Sequence, residues 1–390
     1  MTKLALSHVK VLDLSWHIAG PYCTKILADY GAEVIKVERP GTGDPSRSEG
    51  PFKNNEQNVN ASGLFAYLNN NKQSVTLDLK SVQGIDIVKR LVKEVDLLVE
   101  NFAPGVMKRL GLDYDTLKAI NPKLVMVSIT NFGQEGEFAH YKATEIVTQA
   151  MSGFLSSVGD PHLEPVRAAG QLRMLEYVTG TFAASSALAA LRGARVSGIG
   201  AHLDISITAT GLLQRSYPTV QNSYPTSPFK HVARYIMLPG IEKCKDGHVG
   251  ISVLTGQHWQ SFCFMIGAYE WVDDERFTTL PQRLIHQDIF QERLDAFLME
   301  HTTEEVLALG NEWRVPVTLV PTFEELLSLD QYVEREFFVE VTHPELGKIT
   351  QPGAPFRMAE TPWAIRTSAP TLGEHNEITL KALYDKSTQI

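Results

Sequence analysis

Cysteine is scarce in this 390-residue chain: three residues, Cys23, Cys244 and Cys263, with no C-x-x-C pair. The odd count and the spacing exclude a disulfide framework and fit a reducing cytoplasm, with three ordinary buried thiols. A positive excess is lacking as well. The formal net charge is −9, whereas a duplex-binding protein is normally basic, so nucleic acid is not a predicted partner. Long apolar runs are absent. The most apolar one, at 178–191, contains Thr and Ser and is too short to span a bilayer. The opening MTKLALSHVKVLDLS lacks the shape of a secretory signal, and the predicted location is the cytoplasm, away from membranes.

Several common motifs are missing too. There is no G-x-G-x-x-G, P-loop, G-x-S-x-G elbow or H-E-x-x-H. GTGDPS at 41–46 follows a strand signal but lacks the third glycine and a following helix. His231, His248 and His258 lie close in sequence at no usual zinc spacing, so no metal site is predicted.

What is present is an ordinary globular composition, 43% hydrophobic and 21% charged, on a chain long enough for two domains. KVLDLS at 10–15, AEVIKVE at 32–38, SVTLDLK at 74–80, DLLVEN at 96–101, LVMVSIT at 124–130 and AHLDISI at 201–207 read as strands. Helical patterns stand between them at 23–31, 84–94 and 145–195, the first preceded by the Gly20-Pro21 punctuation. The alternation predicts an α/β fold, a doubly wound, mostly parallel sheet with helices on both faces. The segment 41–61 reads as a long loop of the kind that carries function.

The prolines at 218, 225 and 228 suggest a linker over 214–231. A hairpin at 244–254 with Asp246-Gly247 at its turn, then three helical stretches over 257–309, mark a smaller α+β domain at 232–325. The large domain is predicted at 1–213. The stretch 326–390 returns to it, with a C-terminal helix at 374–384.

Four longer patterns stand in order along the chain: VLDLSWHIAGPYCTKILADYGAEVIKVERPGTGD (11–44), NNNKQSVTLDLK (69–80), VENFAPGVMKRLGLDY (99–114), and GQLRMLEYVTGTFAASSALAALRG (170–193) running into GARVSGIGAHLDIS. Together with KCKDGHVGI, FFVEVTHPELG and the terminal LGEHN, they resemble the family III CoA-transferases. That group includes formyl-CoA, carnitine and benzylsuccinate CoA-transferases and the related α-methylacyl-CoA racemases. The resemblance implies a doubly wound large domain, a smaller inserted domain and an interlocked ring-like dimer.

It also implies coenzyme A, bound as an acyl-CoA substrate, and a carboxylic acid as second substrate. The matching CoA-site positions are His17, Ile18, Ala19, Arg39, Lys72, Asn101, Phe102, Val106, Arg109 and Lys142. Arg39 and Arg109 offer guanidinium forks for phosphate or a plane for adenine, and Lys72 and Lys142 offer ammonium charges. Asn101 and Phe102 end a strand, where open α/β sheets take their ligands.

The transferases place an aspartate four residues before the glycine that follows it in this helix. Glu176 stands there, with Gly180 behind it. The resemblance implies a carboxylate nucleophile. It attacks the thioester to give a mixed anhydride, takes CoA as an enzyme thioester, and repeats the steps in reverse with the incoming acid. Glu145, in HYKATE at 140–145, matches an active-site glutamate near the CoA lysine.

The extra methylene of Glu176 leaves three readings. The chain is a working transferase, or a degenerate CoA-binding subunit paired with an active paralogue as in benzylsuccinate-type heteromers, or Glu176 only caps its helix. A racemase needs an acid/base pair and a His-Asp-x-Asn-Tyr pattern. Here His140 is followed by Tyr141 and Lys142. Trp16, His17, Tyr177 and Tyr235, without a glycine run near 231–247, favour a larger or aromatic acid over formate or oxalate.

Overall fold

The structure, a computed structural model, describes residues 4–156, 173–224 and 237–380. Tyr235, His231, Pro225, Pro228, the segment 170–172 and the end of the predicted C-terminal helix lie outside the described residues. The chain falls into two compact units.

The larger unit is built on six strands: β1 (Lys10–Asp13), β2 (Glu33–Glu38), β3 (Lys72–Thr76), β4 (Leu97–Glu100), β5 (Val125–Thr130) and β6 (Ala201–Ser206). Their order is β3-β2-β1-β4-β5-β6, and every pairing is parallel. Leu12 stands between Ile35 and Leu98 across the centre. β4 and β5 are buried along their whole length, which is why they read as continuous apolar runs. Winding runs outward from β1 to β3, then returns to β4 and proceeds to β6. The reversal leaves a crevice outside the carboxyl ends of β1 and β4.

Helices α1 (Ala19–Asp29), α2 (Gly63–Leu68), α3 (Val82–Val92), α4 (Val106–Leu110), α5 (Tyr114–Ile120), α6 (Glu145–Met151), α7 (Met174–Ser197), α8 (Ile207–Leu213) and α9 (Ser216–Ser223) surround the sheet. Alternation along the strands divides the core. Val11, Val99 and Val127 pack with Cys23 and Leu27 of α1 and Ala183 and Ala187 of α7. Leu12, Leu98 and Met126 face Val88 of α3 and Leu117 of α5.

Three readings from the sequence shift. α1 begins at Ala19 and includes Gly20-Pro21 in its first turn, where a missing N–H costs nothing. β3 begins at Lys72, because Lys72 and Ser74 are buried polar residues that break the apolar pattern. Residues 216–223, taken for linker, are helical as α9, with Pro218 in the first turn.

The smaller unit contains the antiparallel strands β7 (Ile241–Lys243), β8 (His248–Ile251) and β9 (Val317–Leu319). Asp246 and Gly247 lie in the β7–β8 connection. Helices α10 (Gly256–Met265), α11 (Leu280–Ile285), α12 (Gln287–Leu298) and α13 (Thr303–Trp313) close over a core of Trp259, Phe262, Trp271, Phe277 and Phe290. Short helices α14 (Phe323–Leu326) and α15 (Asp330–Glu334) follow, and this unit continues to Glu336. From Phe337 the chain belongs again to the larger unit, through the hairpin β10 (Phe338–His343) and β11 (Gly347–Pro352).

Candidate active site

A cavity of about 820 Å³ opens at the β1–β4 crevice of the larger unit. His17, Ile18 and Ala19 line it from the β1–α1 turn, and Asn101 and Phe102 from the end of β4. Thr130 and Asn131 follow β5, Lys142 and Glu145 lead into α6, and Arg173 and Glu176 stand at the head of α7. One side chain ties the two sides of the crevice together. Trp16 N–H donates to Asn101 Oδ1 at 2.8 Å, and Asn101 Nδ2 donates to Trp16 O at 2.7 Å.

Close packing of α1 against α7 brings these walls together. A stripe of Leu175, Thr179, Gly180, Ala183, Ala184, Ala187 and Leu191 on α7 is buried, at helical spacing. At Gly180 even a methyl group is excluded, since a Cβ would lie 2.7 Å from Ala19 O. This is the physical content of the glycine four residues after Glu176. It lets the α1 turn approach until Ala19 shares a cavity with the carboxylate.

Glu176 sits in the first turn of α7 and is largely buried, and its Oε2 has no hydrogen-bond partner among the described residues. It does not cap its own helix. That role falls to Glu145, whose Oε1 accepts from Leu175 N at 3.2 Å and Gln149 Nε2 at 2.8 Å. The N-cap residue is Arg173, in the left-handed conformation (φ 41°, ψ 39°). Its guanidinium donates to Glu49 through Nη2 at 2.6 Å and Nη1 at 3.4 Å. Glu49 Oε1 also meets His17 Nδ1 at 3.3 Å. Burial pushes the Glu176 carboxyl up, Arg173 opposes this, and Glu145 and Glu49 push it further; the result is a pKa of about 7. An acid of this kind, buried in a cleft with a free oxygen, is suited to nucleophilic or proton-transfer work.

A sequence model described as CoA-transferase family III matches residues 6–376. The chain belongs to this family. It is 32% identical over 377 residues to the succinyl-CoA–D-citramalate CoA-transferase of Chloroflexus aurantiacus, covering 95% of this chain and 92% of the relative. It is 30% identical to the succinate–glutarate CoA-transferase of Agrobacterium fabrum, covering 98% and 96%. A solved CAIB/BAIF family protein from Brucella suis superposes with a TM-score of 0.84 at 26% identity, over 97% of this chain and 99% of that one. The fold and the enzyme class inferred from the four motifs stand.

The site residues suggested by family resemblance divide into two groups. His17, Ile18, Ala19, Asn101, Phe102, Lys142, Glu145 and Glu176 share the cavity. Arg39, Val106 and Arg109 lie outside its lining. Arg39 is exposed and stacks its guanidinium 3.9 Å over the Trp16 ring, which meets Phe102 edge-on at 5.1 Å. Arg109 is exposed on the last turn of α4.

Lys72 requires a correction, because its ammonium is fully buried beneath the site. It donates to Asp13 Oδ2 (3.1 Å), Pro21 O (2.8 Å), Thr24 Oγ1 (2.7 Å) and Asn69 Oδ1 (2.9 Å). With its donors spent inside the fold, it offers no phosphate contact. Burial lowers its pKa to about 8, though Asp13 opposes the shift. Lys36 ties this network to the loop, pairing with Asp44 at 2.8 Å and donating to Ser15 O at 2.8 Å. Trp16 and Tyr177, read as candidate walls for a larger acid, are not in the lining. Tyr177 packs edge-on against Tyr22 at 5.0 Å.

Sequence reasoning missed Arg173 and Glu49. Glu49 lies in the 41–61 loop already singled out for its length, which was the one available signal. Arg173 carried none, since its meaning comes from a partner far away in sequence. The smaller unit holds a second cavity of about 870 Å³ between its sheet and α12. Glu242 is the acid in its lining, and Gly240 N and Gln291 Nε2 engage that carboxylate at 2.8 and 2.9 Å. Among the described residues no other acid lines it.

Proposed function

We propose that this enzyme transfers CoA between an acyl-CoA and a carboxylic acid, with Glu176 as the nucleophile. The observation that carries this reading is the Glu176 carboxylate itself. It is largely buried at the head of α7, with one oxygen that has no hydrogen-bond partner among the described residues, in a cavity at the sheet's switch point. Glu176 attacks the acyl carbon of the thioester, the C–S bond breaks, and CoA leaves as thiolate from a mixed anhydride. The thiolate then attacks the glutamyl carbonyl and expels the first acid, leaving CoA as a thioester on Glu176. The second acid reverses both steps. Splitting one exchange into such transfers is the advantage of covalent catalysis.

The surroundings suit each step. Low polarity around Glu176 raises its basicity and so its strength as a nucleophile. The N–H groups and dipole at the head of α7 favour the charge that develops there. Glu145 fixes that helix end. Lys142, exposed in the cavity lining, and Arg39, stacked on Trp16, are the cations this reading assigns to the phosphates of CoA.

The test is chemical trapping. The purified chain is incubated with succinyl-CoA, then with hydroxylamine or borohydride, and the modified residue is located by mass spectrometry. Modification of Glu176 is the expected result. No label on the chain alone, with label on an added paralogue, would instead assign a CoA-binding partner subunit. Deuterium exchange at the α-carbon without label would assign a racemase.

A further inference from the structure

We infer that the acid exchanged by this enzyme is a dicarboxylic acid, and that Arg173 binds its far carboxylate. The inference rests on the transferase reading above and extends it to the class of acid. Three observations carry it. First, the Arg173 guanidinium lines the same cavity as Glu176, from the same helix end. Second, its position is held from several sides. The backbone adopts a left-handed N-cap (φ 41°), which is uncommon for a residue with a side chain, and Glu49 grips the fork at 2.6 and 3.4 Å. Glu49 is steadied in turn by His17. Third, Arg173, which lines the cavity, remains about one-third exposed (32%) and is not sealed in the core. A guanidinium carries five donors, and Glu49 engages two of its nitrogens. The planar fork is the group best matched to a carboxylate.

Charge explains when the acid binds. With Glu176 free, this corner holds Glu49, Glu145 and Glu176 against one guanidinium, and a dianion is repelled. Once Glu176 carries CoA as a thioester, it is neutral. The incoming acid meets the corner at that stage. Its near carboxylate attacks the glutamyl carbonyl, CoA leaves as thiolate, and its far carboxylate lies against Arg173. A monocarboxylic acid of equal length would place a methyl group against a partly buried ion pair. Charge-assisted hydrogen bonds of this kind separate the two classes by about 10- to 100-fold.

The experiment isolates that half-reaction. The full-length chain is loaded with excess succinyl-CoA, freed of small molecules, and discharged with glutarate or with pentanoate while the Glu176 thioester is followed by mass spectrometry. Glutarate is expected to discharge the wild-type enzyme at least 10-fold more efficiently than pentanoate. Arg173→Gln is expected to abolish that preference, chiefly by raising the glutarate concentration needed. Glutarate discharge should fall by more than pentanoate discharge, and Arg173→Lys should restore part of the preference. Equal losses with both acids, or an Arg173→Gln chain that cannot be loaded, would assign Arg173 to positioning Glu176 and overturn the inference. So would a wild-type preference for pentanoate. A wild-type chain that never acquires the thioester overturns the transferase reading itself, a distinguishable failure.

Discussion

The mechanism proposed for Glu176 couples catalysis to stability with opposite signs. With the Glu176 carboxylate as the proposed nucleophile, the rate of thioester formation should rise with pH as Glu176 ionises, with its midpoint near the folded value of about 7. Stability runs the other way. The folded pKa lies above the ordinary carboxylate value of 4.5, so the folded state holds its proton more tightly than the unfolded one. The resulting stabilisation is complete below pH 4.5. It is lost as pH rises through about 7, where a buried charge must be kept. Glu176→Gln removes that charge. The variant is expected to be inactive, yet more stable than wild type at pH 8 by on the order of 2–3 kcal/mol. At pH 5 the gain should fall below about 1 kcal/mol. Urea titrations at the two pH values measure it, and a variant equally or less stable at pH 8 contradicts the account.

At the scale of elements, helix α7 carries two glycines that should answer alanine oppositely. Gly180→Ala puts a methyl group against the backbone oxygen of Ala19, which cannot swing aside. The expected cost is about 1–3 kcal/mol, with a loss of activity because the α1 turn is pushed from the carboxylate. Gly193 has nothing within 4 Å of its would-be Cβ, so Gly193→Ala should leave activity alone and stabilise by up to about 1 kcal/mol. Thermal unfolding of the pair checks both. The same helix shows how far the sequence could be read. Its small residues at helical spacing, its acid and its following glycine were all legible, as were five of the six strands within a residue or two. β3 was displaced because Lys72 and Ser74 are buried for polar reasons that a hydrophobic pattern does not register. Lys72 itself read as an ammonium offered to a phosphate of CoA. Only its partners, Asp13 and Thr24 from 59 and 48 residues away, show that it belongs to the interior. Arg173 and Glu49 were invisible for the same reason, since they meet across 124 residues.

At the scale of the molecule, the chain's return to its first unit protects a sheet edge. β3 is the edge strand, with backbone groups on its outer side that would otherwise template pairing with another chain. The LGEHN motif covers them. His375 N donates to Ser74 O at 2.9 Å, Thr76 N donates to Asn376 Oδ1 at 2.8 Å, and Asn376 Nδ2 donates to Thr76 Oγ1 at 2.9 Å. Just before this motif, Pro370 O accepts from Arg47 Nη2 at 3.1 Å, and Arg47 is the buried partner of Glu38 on β2. The loop that carries Glu49 is thus anchored on one side by the last sixth of the chain. Asn376→Ala removes both bonds to Thr76 and leaves a backbone N–H unpaired. The expected loss is about 1–3 kcal/mol. Hydrogen exchange at the Thr76 amide should accelerate well before global unfolding, and a tendency to aggregate should appear with concentration. The candidate site lies at β1 and β4, separated from the β3 edge by β2, so kcat for the remaining folded enzyme should be unchanged. Peptide-resolved exchange spanning 72–80, read against activity, separates an edge cover from a part of the site. A variant with normal exchange at Thr76 but depressed kcat would place this motif in catalysis instead.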